Sequence, residues 1–261
     1  MATTDIDAIP ALSDNYIWAL SNASDVVVVD PGDAKPVLRF LQTKQLNLSH
    51  ILITHHHYDH IDGVDGLIER YPQVAVYGPA NESISGVQFQ LGEADTVELQ
   101  GFGLSLQVLD VPGHTAGHIA YFGQLNAEPV LFCGDTLFAA GCGRLFDGTA
   151  EQLYASLTRL SKLPAATKVY CTHEYTLKNL QFAKMVEPQN KAIVQREHAV
   201  KQLRVASLPS LPTTIAQELD TNPFLRVDQE AVATAIEDFV GKPISNAAQS
   251  FAALRGWKDA Y

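Results

Sequence analysis

Ile51-Leu52-Ile53-Thr54-His55-His56-His57-Tyr58-Asp59-His60 is the stretch on which the reading of this chain turns. The apolar residues up to Ile53 read as a buried strand, and Asp62-Gly63-Val64 restarts a helical pattern. The histidines therefore fall on a loop at the carboxyl end of a strand, where ligands of α/β sheets collect. Imidazoles and a carboxylate at adjacent and alternating positions point in two directions, so one loop can serve two metal ions. A solvated or tag-like histidine tract is the bland alternative. The internal position, the interleaved Asp59 and the preceding strand weigh against it.

Strands and helices alternate outward from that loop. Tyr16 to Leu20 and Val26 to Val29 read as paired strands, 30–33 as a turn, and Pro36 to Lys44 as a helix with proline in its first turn. A helix is expected over 62–71, a strand over 74–77, and a hairpin over 96–110 about Gly101 and Gly103. Strands are expected again at 118–122, 130–133 and 168–171, with a helix over 149–160. Beyond residue 173 strand signals largely stop. Helices are expected over 176–186, 189–207, 229–240 and 244–255, which puts a domain boundary near 173/174.

Composition bounds what such a chain does. Its 261 residues are 46% hydrophobic and 18% charged, ordinary for a folded soluble protein. No apolar run approaches the roughly 20 residues of a membrane span. Met1 to Pro10 carry Asp5 and Asp7 and no basic apolar leader, so a cytoplasmic location is expected. Cys133, Cys142 and Cys171 lack CxxC spacing and read as small buried residues in a reducing compartment. A net charge of −11 argues against a nucleic-acid face. Bound dications would offset part of that charge, and an anionic substrate would need local basic residues.

Four further segments carry metal-type residues to strand ends. They are Gly113-His114-Thr115-Ala116-Gly117-His118, Gly134-Asp135-Thr136, Thr172-His173-Glu174 and Asp30-Pro31-Gly32, where Asp30 is placed to support the histidine loop. Together with Thr54 to His60 they resemble the binuclear metallo-β-lactamase superfamily, whose fold is an αββα sandwich. Gly134-Asp135-Thr136-Leu137-Phe138, Gly141-Cys142-Gly143-Arg144, His173-Glu174-Tyr175-Thr176 and Leu254-Arg255-Gly256-Trp257-Lys258-Asp259 narrow the resemblance to the hydroxyacylglutathione hydrolases, the glyoxalase II family. That match runs essentially end to end, including the helical tail.

The resemblance implies an α/β sandwich catalytic domain over 1–173 and a helical glutathione-binding domain over 174–261. It implies that His55, His57 and His114 bind one ion and Asp59, His60 and His173 the other, with Asp135 bridging. Each ion then has three terminal ligands and a shared carboxylate, an open rather than a closed structural site. Two divalent ions are expected, zinc first, with iron or manganese as chemical alternatives. His56 and His118 match no ligand position and are expected to be a loop residue and a packed histidine.

The activity implied is hydrolysis of S-(2-hydroxyacyl)glutathione, typically S-D-lactoylglutathione, by a metal-bound hydroxide. Asp59 and Asp135 are the catalytic carboxylates, and the products are glutathione and a 2-hydroxy acid, D-lactate. This is the second step of methylglyoxal removal. Arg144 falls at a substrate-binding lysine position, Arg255 and Lys258 on the terminal pattern that binds the tripeptide, Tyr175 on an aromatic contact, with Asn179 nearby. Phe146 replaces a tyrosine of some relatives and offers packing without a hydroxyl. Asp62 stands where a small residue is common and is expected to cap the next helix. Rival readings are an iron-dependent oxidoreductase of the same fold, such as a persulfide dioxygenase, a cysteine hydrolase, and a non-catalytic module. Retention of both ligand sets opposes the first and third, and no Cys-His-Asn arrangement supports the second. A monomer with a small-molecule substrate, and neither nucleic acid nor membrane as partner, is the expected state.

Overall fold

The computed structural model describes residues 4–261, so the first three residues of the stretch read for a leader lie outside it. Two compact units divide the chain. One comprises the chain to Asp110 together with Ala116–Gly134, and the other comprises Val111–Thr115 and Asp135–Tyr261.

In the first unit, β1 (Asp5–Ala11), β2 (Asn15–Ser21) and β3 (Asp25–Val29) form an antiparallel meander, with Ile9 opposite Ile17 and Trp18 opposite Val29. Asp33 then caps α1 (Ala34–Lys44) by accepting from Lys35 N, which leads the chain over to β4 (Asn47–Leu52). β4 pairs parallel with β3 and with β5 (Ala75–Pro79), and β5 pairs parallel with β6 (Phe89–Leu91), giving the order β1-β2-β3-β4-β5-β6. α2 (Tyr58–Ile61) and α3 (Val64–Arg70) lie between β4 and β5.

Val37 and Leu41 of α1 and Val64 and Leu67 of α3 pack with Val26, Val28, Ile51, Ile53 and Val76 in one core. Both faces of β3 are buried, which accounts for its unbroken valine run. A second set, β7 (Thr96–Leu99), β8 (Leu104–Asp110), β9 (Ile119–Leu125) and β10 (Glu128–Gly134), is wholly antiparallel. Tyr121 of β9 donates its hydroxyl to Ile53 O at 2.8 Å, joining the two sheets behind the histidine loop.

The second unit starts with the short hairpin β11 (Leu137–Phe138) and β12 (Gly141–Cys142). α4 (Ala150–Leu160) follows, begun by a Thr149/Gln152 capping box that satisfies two otherwise orphaned N–H groups. β13 (Lys168–Cys171) pairs antiparallel with β14 (Thr213–Thr214). The remainder is helical: α5 (Thr176–Val186), α6 (Lys191–Val205), α7 (Ile215–Thr221), α8 (Glu230–Val240) and α9 (Ala247–Ala260). Leu180, Ala183, Ile193 and Val200 pack with Ala140 between α5 and α6.

Most expected elements are present within a few residues of their limits. The helix expected over 62–71 is α3, preceded by the one-turn α2, and the two part at Gly63, whose N–H donates to Pro31 O at 3.0 Å. Asp62 correspondingly does not cap α3. Gly63 holds the N-cap position with no side-chain bond, and Asp62 N donates to Tyr58 O at the end of α2. Among the described residues no helix is long and apolar enough to cross a membrane.

Candidate metal centre

In the first unit the loop after β4 carries four metal-type side chains, His55, His57, Asp59 and His60. Thr54, His55 and His60 are fully buried, so imidazole chemistry is held here away from bulk water. Asp30, at the end of β3, accepts from Thr54 N at 2.8 Å and from Thr54 Oγ1 at 2.7 Å, and its Oδ2 lies 3.0 Å from His60 Nδ1. With Nδ1 donating to that carboxylate, Nε2 of His60 keeps its lone pair for a metal. Asp59 Oδ2 lies 3.6 Å from that Nε2, and His55 Nε2 lies 3.1 Å from His57 Nδ1.

A separate group in the second unit brings together three further metal-type side chains. His114, Asp135 and His173 are nearly buried, and Asp135 Oδ2 stands 3.5 Å from His114 Nε2 and 3.3 Å from His173 Nε2. His114 Nδ1 lies 2.8 Å from Arg144 O, so the main chain holds the hydrogen on that nitrogen and again leaves Nε2 as donor. Gly143 is required beside this group: a Cβ there would come within 2.0 Å of Asp135 O and 3.1 Å of His114 Nδ1.

These spacings fit a divalent ion. Donors at about 2.0–2.1 Å from tetrahedral zinc lie about 3.3–3.4 Å from one another, and the separations within each unit cluster around that length. One carboxylate oxygen of Asp135 thus faces two imidazoles. His56 turns away from this chemistry to Glu82, its Nδ1 2.9 Å from Oε2. His118 is buried and stacked on His55, ring centroids 4.5 Å apart and planes at 19°.

The expected substrate residues all belong to the second unit. Tyr175 stacks on His173 with centroids 4.6 Å apart and planes at 4°, and Phe146, 65% exposed, stands edge-on to His114 at 5.2 Å. Asn179 is buried and donates to Ala139 O at 3.1 Å, so it braces the turn between β11 and β12. Arg144 and Arg255 meet at one carboxylate that sequence reading passed over as a contact. Asp259 Oδ1 lies 3.4 Å from Arg144 Nε and accepts from Arg255 Nη2 at 3.0 Å. Arg255 is itself buried and also donates to Cys142 O at 3.2 Å, tying α9 to β12. Lys258 Nζ lies over the Phe182 and Tyr261 rings, and burial, with Arg255 adding repulsion, lowers its pKa to about 8.

Sheets bearing His/Asp donor clusters at their strand ends define a metal-dependent αββα protein. The metallo-beta-lactamase superfamily profile matches residues 13–173, and that of the hydroxyacylglutathione hydrolase C-terminus matches 174–261. The chain is 52% identical to a hydroxyacylglutathione hydrolase of Cupriavidus taiwanensis, covering 97% of this chain and 98% of that one. It is 54% identical to one of Alkalilimnicola ehrlichii, covering 98% and 99%. Among solved structures, ETHE1 from Myxococcus xanthus superposes with a TM-score of 0.62 at 28% identity, covering 98% of each chain. The chain belongs to the hydroxyacylglutathione hydrolase family of the metallo-beta-lactamase superfamily.

Proposed function

We propose that the chain hydrolyses S-(2-hydroxyacyl)glutathione, typically S-D-lactoylglutathione, to glutathione and D-lactate, the second step of methylglyoxal detoxification. The observation that carries the reading is the Asp135 carboxylate facing both His114 and His173, in a chain about half identical to hydrolases of that name. By the family resemblance, His55, His57 and His114 would hold one divalent ion and Asp59, His60 and His173 the other, with Asp135 serving both. Zinc is the metal the donor set favours, with iron or manganese compatible. Bound dications would supply water activation near neutral pH and charge for a developing oxyanion.

The protein's own groups do the rest. Asp30 and the Arg144 main chain fix the His60 and His114 tautomers. Phe146 and Tyr175, set against His114 and His173, give the thioester an apolar flank. Arg144, Arg255 and Lys258 present positive charge to the carboxylates of the tripeptide, with Asn179 holding the hairpin beneath. Residues 1–173 serve as catalytic domain and 174–261 as glutathione-binding domain. The enzyme is a cytoplasmic monomer needing neither nucleic acid nor membrane. A cysteine nucleophile is disfavoured: all three thiols are buried, and burial pushes Cys142 up to about 11, opposite to the activated direction.

The direct test incubates purified protein with S-D-lactoylglutathione, with and without chelator, while counting bound metal. Metal-dependent release of glutathione is expected, and folded, metal-loaded protein without thioester cleavage would sink the assignment. Lys258 adds a pH signature. A group titrating at about 8 is mostly protonated at pH 7 and mostly neutral at pH 9, so KM should rise by up to about tenfold across that interval. Lys258→Ala should start with the higher KM and flatten the rise. A profile identical in both proteins would remove Lys258 from the binding site.

A further inference from the structure

Asn15 opens β2, far in sequence from the histidine loop, yet its side chain is spent on that loop. It is 4% exposed. Its Nδ2 donates to Asp59 Oδ2 at 3.0 Å and lies 3.3 Å from Asp59 O, so a single amide engages the carboxylate and the main chain of one residue. A carboxylate only accepts, which settles that the amide nitrogen faces it. Gly32 packs against the main chain of Asp59, where a Cβ would fall 1.8 Å from Asp59 O. The Asp59 main chain is thus packed by the turn after β3 while its carboxylate is held from the start of β2. That same turn carries Asp30, which holds His60 at 3.0 Å.

We infer that Asn15 is a positioning residue for the ion held by Asp59 and His60, setting the direction of the Asp59 carboxylate and hence the affinity for that ion. The inference rests on the binuclear reading above. Its physical basis is preorganisation. An aspartate free to rotate loses rotamer freedom when it takes a metal, whereas one already held does not. The chemistry of the holder matters as much as its place. A lysine or arginine at this position would neutralise the carboxylate and compete with a cation, while a neutral amide orients Asp59 and leaves its charge available. The contacted oxygen, Oδ2, is the one that lies 3.6 Å from His60 Nε2.

The test is a titration of metal-free protein with zinc in a competing chelator, comparing wild type with Asn15→Leu and Asn15→Asp. Leucine keeps the approximate shape without the donor, and aspartate replaces the donor with a second carboxylate. Wild type is expected to take two equivalents. Both variants should take one with unchanged affinity and the other about 10–100-fold more weakly, the usual effect of removing a group that orients a ligand. Thermal melts of the metal-free proteins accompany the titration, and loss of zinc affinity at an unchanged metal-free Tm separates positioning from general damage. Two equivalents of unaltered affinity in both variants overturn the inference, as does equal weakening of both. Fewer than two equivalents in wild type would instead remove the binuclear reading, and this inference with it.

Discussion

Replacing Asp135 with alanine is expected to lower bound metal below two ions per chain and cut kcat/KM by more than the roughly 10–100-fold that follows loss of a ligand-orienting group. One oxygen of Asp135 lies 3.5 Å from His114 Nε2 and 3.3 Å from His173 Nε2, so on the proposed binuclear reading its removal would take a donor from both ions at once. The two imidazoles would be left facing each other with no negative charge between them to offset two cations. Asp135→Asn separates charge from shape. It keeps the side-chain volume and one oxygen, so it should retain more metal than alanine while still losing most activity. Metal counting after gel filtration, thermal melts to verify folding, and steady-state kinetics provide the measurement. Full binuclear occupancy in Asp135→Ala would refute a bridging role.

The second large effect falls on stability. Glu218 is fully buried, and its two oxygens take bonds from four groups. Arg196 Nη2 and Thr213 Oγ1 reach Oε1 at 2.6 Å each, while Ala140 N and Asn222 Nδ2 reach Oε2 at 2.7 and 2.9 Å. α6, β14, α7 and the turn between β11 and β12 therefore share one carboxylate. Glu218→Ala leaves the buried Arg196 charge uncompensated and strands a main-chain N–H, a change that costs about 3–5 kcal/mol. For a chain of this size that corresponds to a fall in Tm of roughly 6–20 °C. Arg196→Met combined with Glu218→Leu should recover part of the loss, because removing both charges removes the desolvation cost along with the attraction. A Glu218→Ala Tm within a degree or two of wild type would show that the network carries little stability.

Much of the fold is legible in the chain because its signals are local. The valine run at 26–29, the Asp33 cap and the Thr149/Gln152 box each act within a few residues, and the corresponding strand and helices form where the pattern puts them. Asp5–Ala11 escapes such a reading. It contains Pro10, which cannot donate to a ladder, and it is tolerated because β1 is the edge of its sheet. β11, β12 and β14 are two residues each, too short for any periodicity to register. α2 and α3 part at Gly63, where it closely approaches Pro31, a tertiary contact without a local signature.

The site divides along the same line. Sequence alone determined the kind of chemistry: imidazoles and carboxylates at strand ends, in motifs that resemble a binuclear hydrolase family, the resemblance rather than the residues themselves pointing the terminal cations at an anionic tripeptide. Only the tertiary structure decided which atoms do what. It turned His56 to Glu82, stacked His118 on His55, joined Arg144 and Arg255 through Asp259, and brought Asn15 onto Asp59. The physical reason is separation along the chain. Residue type and periodicity fix what a side chain can donate or accept, whereas a bond across 44 residues, such as Asn15 to Asp59, exists only once the sheet has closed and the loop has been set against it.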